Sequence, residues 1–220
     1  MTFFYITELV LWPTHSRTRL RGVIMSMYHQ GNRELQARFG TAPLADRLVE
    51  KLMRDRFTES DKEFVESCSF FFLATADAEG RPDCSYKGGS PGFVRIVSPD
   101  VLIFPDYDGN GMFKSLGNVQ ANPHVGLLFI TMGEKPKRLR VNGTAEISFD
   151  DPILNEFPGG QLLVRVRPQY IFPNCPRYIH NVQMVQPSSY LPAKGCVPVE
   201  PAWKGFDDFK DVVPPRKSVE

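Results

Sequence analysis

The chain has 220 residues, of which 42% are hydrophobic and 23% charged, a composition that is typical of a protein with a core and excludes a disordered chain. Its 26 Lys and Arg residues nearly balance its 25 Asp and Glu residues, and this net charge of +1 excludes a broadly basic surface, so we expect no nucleic-acid partner. The four cysteines are too few and too widely spaced for a disulfide scaffold, and the lack of a C-x-x-C pair leaves a structural zinc site without support.

The first 27 residues differ in composition from the rest of the chain. The apolar stretch from Phe3 to Trp12 is interrupted by polar residues and is too short to cross a bilayer. It also lacks the basic segment and the small-residue cleavage site of a secretory signal. We expect residues 1–27 to be an N-terminal extension, most of which translation from Met25 or Met27 would omit. We also expect a cytoplasmic protein without a membrane partner.

Two short helices are predicted before the first strand. Leucines recur at every fourth position from 44 to 52 with charged residues between them, which predicts an amphipathic helix over 44–53 that packs on another element. Farther along the chain, Ser60 and Glu63 have the spacing of a capping box. A second helix is therefore predicted from Asp61 to Ser67.

Short apolar runs between turn signals predict a mainly β fold with flanking helices, an α+β class. A further helix is predicted from Met112 to Ala121, because Asn122-Pro123 would end it. Six or more strands with two or three helices favour a small closed barrel over a sandwich. We expect residues 28–186 to form this one domain and residues 187–220 to be an irregular, Pro-rich tail. The predicted strands are Ser69–Ala76, Arg81–Lys87, Phe93–Val97, Val101–Phe104, Val125–Thr131, Lys137–Ser148 and Leu162–Arg167, the last continuing over Gln169–Phe172 past Pro168.

The segment from Asp106 to Gly111 matches the opening of a calcium-binding EF-hand loop. The rest of that loop does not match, because its twelfth position is Gly117, where the motif needs a bidentate Glu. A strand, not a helix, is predicted before it. The segment is therefore interpreted as a tight turn, and no metal site is predicted.

A local cluster of cations is predicted to hold an anion near this turn. Lys114 and Ser115 stand in the first turn of the predicted helix, where free backbone N–H groups and the helix dipole favour negative charge. Lys87, at the end of an earlier strand, would reach the same place. The alternative is that Lys114 is a solvated surface lysine.

Two arginines are predicted to share one face of a later strand. Arg138 and Arg140 are two residues apart, so their side chains leave the same side, while Leu139 and Val141 leave the other. This face would either be open to water or hold an anion. The histidines form no catalytic constellation, and the chain contains no G-x-G-x-x-G, Walker A or G-x-S-x-G motif, so a Rossmann dehydrogenase, an NTPase and an α/β-hydrolase are not supported.

Several segments, taken in order, resemble the pyridoxamine 5'-phosphate oxidase-like flavoproteins. They are Phe71–Ala76, Gly80–Gly89, Phe104–Asn110, Ser115–Asn118, Asn122–Phe129 and Leu139–Ala145, within a resemblance that covers roughly residues 28–179. Such proteins fold as a six-stranded split β-barrel, form homodimers and bind FMN in clefts at the dimer interface. The resemblance therefore implies that fold, that partner and that cofactor for this chain.

The resemblance also implies roles for individual residues. The strand from Asp83 to Lys87 would follow the flavin, Lys114 and Ser115 would hold its phosphate, and Arg138 and Arg140 would face it from the later strand. Two further residues, Arg177 and Tyr178, would border the substrate. The complete set implied for the cofactor is Asp83, Cys84, Ser85, Tyr86, Lys87, Asp106, Tyr107, Asn110, Lys114, Ser115, Asn118, Arg138 and Arg140.

The chain departs from the vitamin B6 oxidases of this group. After Ile147 it lacks the Tyr-x-x-x-Arg-x-x-x-Ser arrangement that holds pyridoxal phosphate, and it has no C-terminal Arg-Leu-His segment. The resemblance therefore implies an FMN-dependent oxidoreductase that acts on another small molecule, with the flavin supplying hydride chemistry. The alternative is a protein that binds flavin, deazaflavin or haem without turnover.

Overall fold

The structure, a computed structural model, describes residues 27–133, 135–180, 182, 188, 190–191, 194, 200–208 and 210–213. The chain divides into two compact units, of which the first ends at Asp46 and the second begins at Arg47. The predicted N-terminal extension lies outside the described residues except for Met27. The predicted division into one domain and a tail stays a prediction.

The first helices confirm only part of the sequence pattern. Helix α1, Gln30–Arg38, was not predicted; it begins after His29, whose side chain accepts a hydrogen bond from the Gly31 N–H at 3.2 Å. Helix α2, Ala42–Leu52, confirms the predicted helix. Its residues Leu44, Leu48 and Leu52 are nevertheless exposed, so the expected packing on another element is not found among the residues that the structure describes. The amphipathic pattern predicts a helix because of its period, but it does not say whether the apolar side is covered.

Helix α3, Glu59–Ser67, begins two residues earlier than predicted, and the predicted capping box was wrong. The cap is Thr58, whose hydroxyl accepts from the Asp61 N–H at 3.2 Å, while the Asp61 carboxylate accepts from the Thr58 N–H at 2.8 Å. Two overlapping Ser/Thr-x-x-acid pairs compete here. Asp61 also receives a hydrogen bond from Arg54 at 2.8 Å, and this contact favours the earlier pair.

Seven strands of the described residues form one antiparallel sheet in the order β2-β1-β5-β6-β7-β4-β3, where the resemblance implied six. Residues 160–173 are a single strand that passes Pro168, because the β6–β7 register shifts between Asn142 and Gly143 and so accommodates a residue without an N–H. Helix α4 lies between β4 and β5. The strands are β1 Phe70–Ala76, β2 Pro82–Gly88, β3 Arg95–Ser98, β4 Val101–Tyr107, β5 His124–Ile130, β6 Arg138–Ser148 and β7 Gly160–Pro173; α4 is Lys114–Ala121, and 3-10 helices cover Pro152–Glu156 and Ala202–Gly205.

The main core lies on one side of this sheet. Alternate residues of β1, β5 and β6 are buried there, including Phe71, Leu127 and Val141. These side chains come from registered positions, so their rows continue from strand to strand. On the end strand β2, the residues that face the same side as this core are polar. The candidate site lies at these polar residues.

Candidate functional site

The core side of β2 carries polar residues. Asp83 pairs with Thr75, and Lys87 pairs with Phe71, in the antiparallel β1–β2 register. Paired residues of neighbouring strands project to the same side of a sheet, so Asp83, Ser85 and Lys87 face the side on which Phe71 is buried. The predicted cofactor residues of β2 therefore divide between two faces, since Cys84 leaves the opposite side and is exposed.

The beginning of α4 is anchored to β2. The buried hydroxyl of Ser115 lies 2.8 Å from the Asp83 carboxylate and 3.0 Å from the Ser85 hydroxyl. The carboxylate can only accept, so the Ser115 hydroxyl donates its single proton to Asp83. Asp83 supplies negative charge close to the positive end of the helix dipole. Ser115 is thus engaged within the chain rather than available to an external phosphate.

One turn farther along α4, Asn118 is anchored to the next strand. Its side-chain amide donates to the Thr75 hydroxyl at 3.0 Å, and both residues are buried. Buried polar groups need such partners because an unmade hydrogen bond leaves their desolvation uncompensated. Asn118, predicted for the cofactor site, therefore joins α4 to β1.

Lys87 is paired with Asp106, which lies in β4. The ammonium donates to the Asp106 carboxylate at 2.9 Å, and the side chains are only 21% and 10% exposed. Lys87 therefore has its counter-charge in the chain. The adjoining residue Tyr107 is half-buried, and burial raises the pKa of its phenol.

The loop between β4 and α4 has the tight turns that its sequence predicted. The Asn110 side chain accepts from the Met112 N–H at 3.0 Å, and Gly111 has a φ of 74°. Phe113, just before α4, has a φ of 46°, which is uncommon for a residue with a side chain. Lys114 follows as an exposed residue. Within the part of the chain that the structure describes, no group of three His, Cys, Asp or Glu residues has the geometry to hold a metal ion.

Arg138 and Arg140 lie on the other side of the sheet from Lys87. Their neighbours Leu139 and Val141 are buried in the core, as the alternation predicted. Arg138 donates through Nη2 to the Cys175 carbonyl at 2.6 Å, and Arg140 is exposed. Strands β1 and β5 separate β6 from β2 in the sheet. Within one copy of the chain, the predicted cations therefore form two separate groups.

A row of side chains on this outer side was missed by sequence reasoning. The register aligns Tyr86, Phe72, Leu128, Arg140 and Phe172 across five strands, and we call them the outer-face row. Tyr86, at the β2 end of this row, is 61% exposed. The missed signal was the alternation within the run of phenylalanines in β1, because only every second one faces the core.

The aromatic end of the outer-face row is a small cluster of rings. The ring of Phe70 stacks on that of Tyr86 with centroids 5.3 Å apart, and Phe72 meets Tyr86 edge-on at 6.0 Å. Both arrangements are favourable for aromatic pairs. The cluster forms a partly exposed apolar surface, and Leu128 of β5 lies between it and Arg140 of β6 in the outer-face row.

The family model described as pyridoxamine 5'-phosphate oxidase matches residues 57–174, more than half of the chain. The chain belongs to this family. No curated protein matches it. Among the described residues, no helix is long and apolar enough to cross a membrane.

Solved structures similar to this family member cover roughly half of it. HupZ from Group A Streptococcus is 18% identical with a TM-score of 0.43, and the match covers 58% of this chain and 99% of that one. The heme storage protein HutZ from Vibrio cholerae is 20% identical with a TM-score of 0.41, covering 54% and 95%. A FAD-binding protein from Mesorhizobium loti is 16% identical with a TM-score of 0.39, covering 56% and 95%.

The substrate residues predicted for this pyridoxamine 5'-phosphate oxidase family member lie after β7. Arg177 and Tyr178 are exposed in a turn closed by the Ile179 N–H and the Pro176 carbonyl at 3.0 Å. Tyr178 has a φ of 71°. The described contacts do not bring these two residues to the polar network around α4, so their role stays a prediction.

Proposed function

We propose that this protein binds FMN and is an FMN-dependent oxidoreductase acting on a small molecule. One observation carries the proposal: six residues that the resemblance implied for one cofactor site make side-chain contacts that link α4 and β4 to strands β1 and β2. The exposed cation Lys114 stands beside them. These residues are Asp83, Ser85, Lys87, Asp106, Ser115 and Asn118.

The residues on the outer face of the sheet also fit a flavin. The Nε of Arg138 and the side-chain oxygen of Asn174 are buried and lack hydrogen-bond partners among the described residues. Unpaired buried polar atoms of this kind call for a ligand or water. Arg138 and the exposed Arg140 offer positive charge to a phosphate. The aromatic rings of the outer-face row offer an apolar surface to a ring system.

The internal contacts narrow which residues would hold each part of FMN. Because Ser115 and Lys87 are engaged with carboxylates, the phosphate would be held by Lys114 and by the arginines of β6. The rings of Tyr86 and Phe72 would support the isoalloxazine. FMN would supply hydride acceptance at its N5 atom, while the protein positions the substrate and excludes water.

The proposed architecture is the split barrel of the family. The ion pair between Lys87 and Asp106 supports it, because it joins the end strand β2 to β4, which lies near the other end of the strand order. Contact between strands at opposite ends of an antiparallel sheet is what closure into a barrel requires.

We propose a homodimer in which two copies of the outer-face row meet. Tyr86 and its neighbouring rings form an exposed apolar surface, and such surfaces on soluble proteins commonly mark interfaces. A two-fold interface would bring Lys114 of one copy and Arg140 of the other to the edges of one cleft. The cations that are separated within one copy would then act on one FMN phosphate.

The test is FMN binding by the full chain, measured by titration and by mass spectrometry of the native protein. We expect two FMN molecules per dimer. The double substitution Lys114→Ala and Arg140→Ala should weaken binding at least about tenfold, since it removes charge-assisted contacts to phosphate. Arg47→Ala, which removes an exposed cation of α2, is the matched control and should leave binding unchanged.

The outcomes separate the parts of the proposal. Unchanged FMN affinity in the double variant would overturn the residue assignment. Failure of the unmodified protein to bind FMN would overturn the cofactor, and its absorption spectrum would then identify deazaflavin or haem. Anaerobic reduction of bound FMN by a nicotinamide cofactor supports an enzyme, whereas the lack of any reductant or substrate turnover would point to a carrier.

A further inference from the structure

A residue far along the chain is bound to the loop that leads into α4. Lys204, in the short 3-10 helix Ala202–Gly205, donates through its ammonium to the carboxylate of Asp108 at 2.5 Å. Its ammonium also lies 3.4 Å from the carboxylate of Glu200. Asp108 follows β4 directly and is two residues beyond Asp106, so this contact reaches the edge of the candidate site.

The Lys204–Asp108 contact is an ion pair in which the lysine side chain is largely buried. The Lys204 side chain is only 14% exposed, and lysines are rarely buried so far unless they are paired. Hydrogen bonding to Asp108 raises the pKa of Lys204, so its charge is retained. The segment around it is locally ordered, because the Lys204 N–H donates to the Pro201 carbonyl and the Phe206 N–H to the Trp203 carbonyl, both at 3.1 Å.

The loop that Lys204 contacts has little burial of its own. Met112 and Phe113 are exposed, and Phe113 holds a left-handed conformation that costs free energy for a residue with a side chain. The loop ends at Lys114, the exposed cation of the proposed phosphate site. Any contact that orders the loop therefore also positions Lys114.

We propose that residues 200–205 are a strap that orders the β4–α4 loop through the Lys204–Asp108 ion pair and slows the release of a phosphate-bearing ligand from Lys114. The ligand part of this inference rests on the proposed function, whereas the ordering of the loop does not. Because the ion pair is partly exposed, added salt loosens the strap. The strap thus makes ligand retention depend on ionic strength.

Hydrogen exchange of the ligand-free full chain tests the strap directly. Lys204→Met keeps the apolar stem and removes the charge, and Asp108→Asn removes the other partner. Each should increase amide exchange over residues 109–113 about two- to fivefold, the factor expected for one partly exposed ion pair. The double variant should exchange no faster than either single variant, because all three lack the same contact.

Lys210→Met is the matched control, since Lys210 pairs only with the nearby Asp207, at 2.6 Å, in the contacts described. It should leave exchange over residues 109–113 unchanged. Unchanged exchange in the Lys204 and Asp108 variants, or an equal increase in the control, would overturn the strap.

The second measurement, which tests the effect on ligand release, is the dissociation rate of FMN from the same variants. We expect release about two- to fivefold faster in Lys204→Met than in the unmodified protein at low salt, with the difference lost in high salt. If amide exchange over residues 109–113 became faster and FMN release did not, the claim that the strap slows ligand release would be overturned. If the unmodified protein binds no FMN, the proposed function fails, and the exchange experiment still decides whether the strap orders the loop.

Discussion

Most polar side chains at the candidate site have partners within the chain. Asp83 accepts from Ser115, and Asp106 neutralises Lys87, so these residues shape the site before any ligand arrives. Lys114 and Arg140 are the predicted cofactor cations that stay exposed. At the scale of residues, the protein separates side chains that build the site from side chains that remain available to an anion.

Removing the Ser115 hydroxyl should destabilise the protein. Ser115→Ala removes the hydroxyl that donates to the half-buried Asp83 carboxylate, and hydrogen bonds to charged groups contribute about 1.5–3 kcal/mol. We expect the free energy of unfolding, measured in urea, to fall by about 1–2 kcal/mol. Ser67→Ala, which removes an exposed hydroxyl bonded to the Phe64 carbonyl, is the control. An equal loss in both variants would contradict the role given to Ser115.

The cysteines should differ in reactivity because of burial. Burial raises the pKa of the Cys68 thiol to about 11, so its reactive thiolate forms only as the pH rises toward that value. Cys84 and Cys175 are exposed. Iodoacetamide at pH 8 should modify these two in the folded protein and Cys68 only after unfolding, as measured by peptide mass spectrometry. Modification of Cys68 at the rate of Cys84 would contradict this.

At the scale of elements, side-chain contacts at the ends of helices decide where helices begin and what they hold. Helix α3 begins at the Thr58 cap because Asp61 serves both the cap and Arg54. Helix α4 has no side-chain cap, and its first turns are held instead by contacts with β1 and β2. The position of α4, and with it Lys114, therefore depends on the sheet.

The cap of α3 can be tested with two neighbouring substitutions. Thr58→Ala removes the hydroxyl that accepts from the Asp61 N–H and should lower the free energy of unfolding by about 1 kcal/mol. Ser60→Ala, at the position that the sequence pattern favoured, should change it by less than about 0.5 kcal/mol. Urea denaturation measures both. If Ser60→Ala lowered the free energy of unfolding more than Thr58→Ala, the result would support the capping box predicted from the sequence.

At the scale of the whole molecule, one continuous sheet places the predicted cofactor residues on two sides. The polar row of β2 belongs to the core side, and the outer-face row belongs to the other. The longest strand pair, β6 with β7, depends on close approach of the backbones at Gly143. A Cβ atom there would lie 2.1 Å from the Arg167 carbonyl oxygen.

Two glycine substitutions should therefore have opposite effects. Gly143→Ala forces β6 and β7 apart and should lower the free energy of unfolding by about 1–3 kcal/mol. Gly117→Ala, inside α4 with no neighbour within 4 Å of the added methyl group, should raise it by about 0.5–1 kcal/mol. Thermal and urea unfolding measure both. Tolerance of Gly143→Ala would show that the strand pair can adjust at this position.

The sequence by itself determined the family, the α+β class and most strands, because apolar alternation and turn residues act locally and the family match extends over consecutive residues. The residues that the resemblance implied for the cofactor include Asp83, Ser85 and Ser115, whose side chains are in contact in the structure, while their role toward a cofactor stays a prediction. Local patterns could not decide which Ser or Thr caps α3, because Thr58 and Ser60 each precede an acidic residue by three positions. The hydrogen bond from Arg54 to Asp61 favours Thr58, and the spacing alone does not show that contact.

Only the tertiary structure decided the partners of the charges and the face that each residue takes. Lys87 and Asp106 are 19 residues apart, and Lys204 and Asp108 are 96 apart, so no periodicity could pair them. The separation of Lys87 from Arg140 likewise depends on strand order and register, which arise when distant segments pack and bury their apolar sides together.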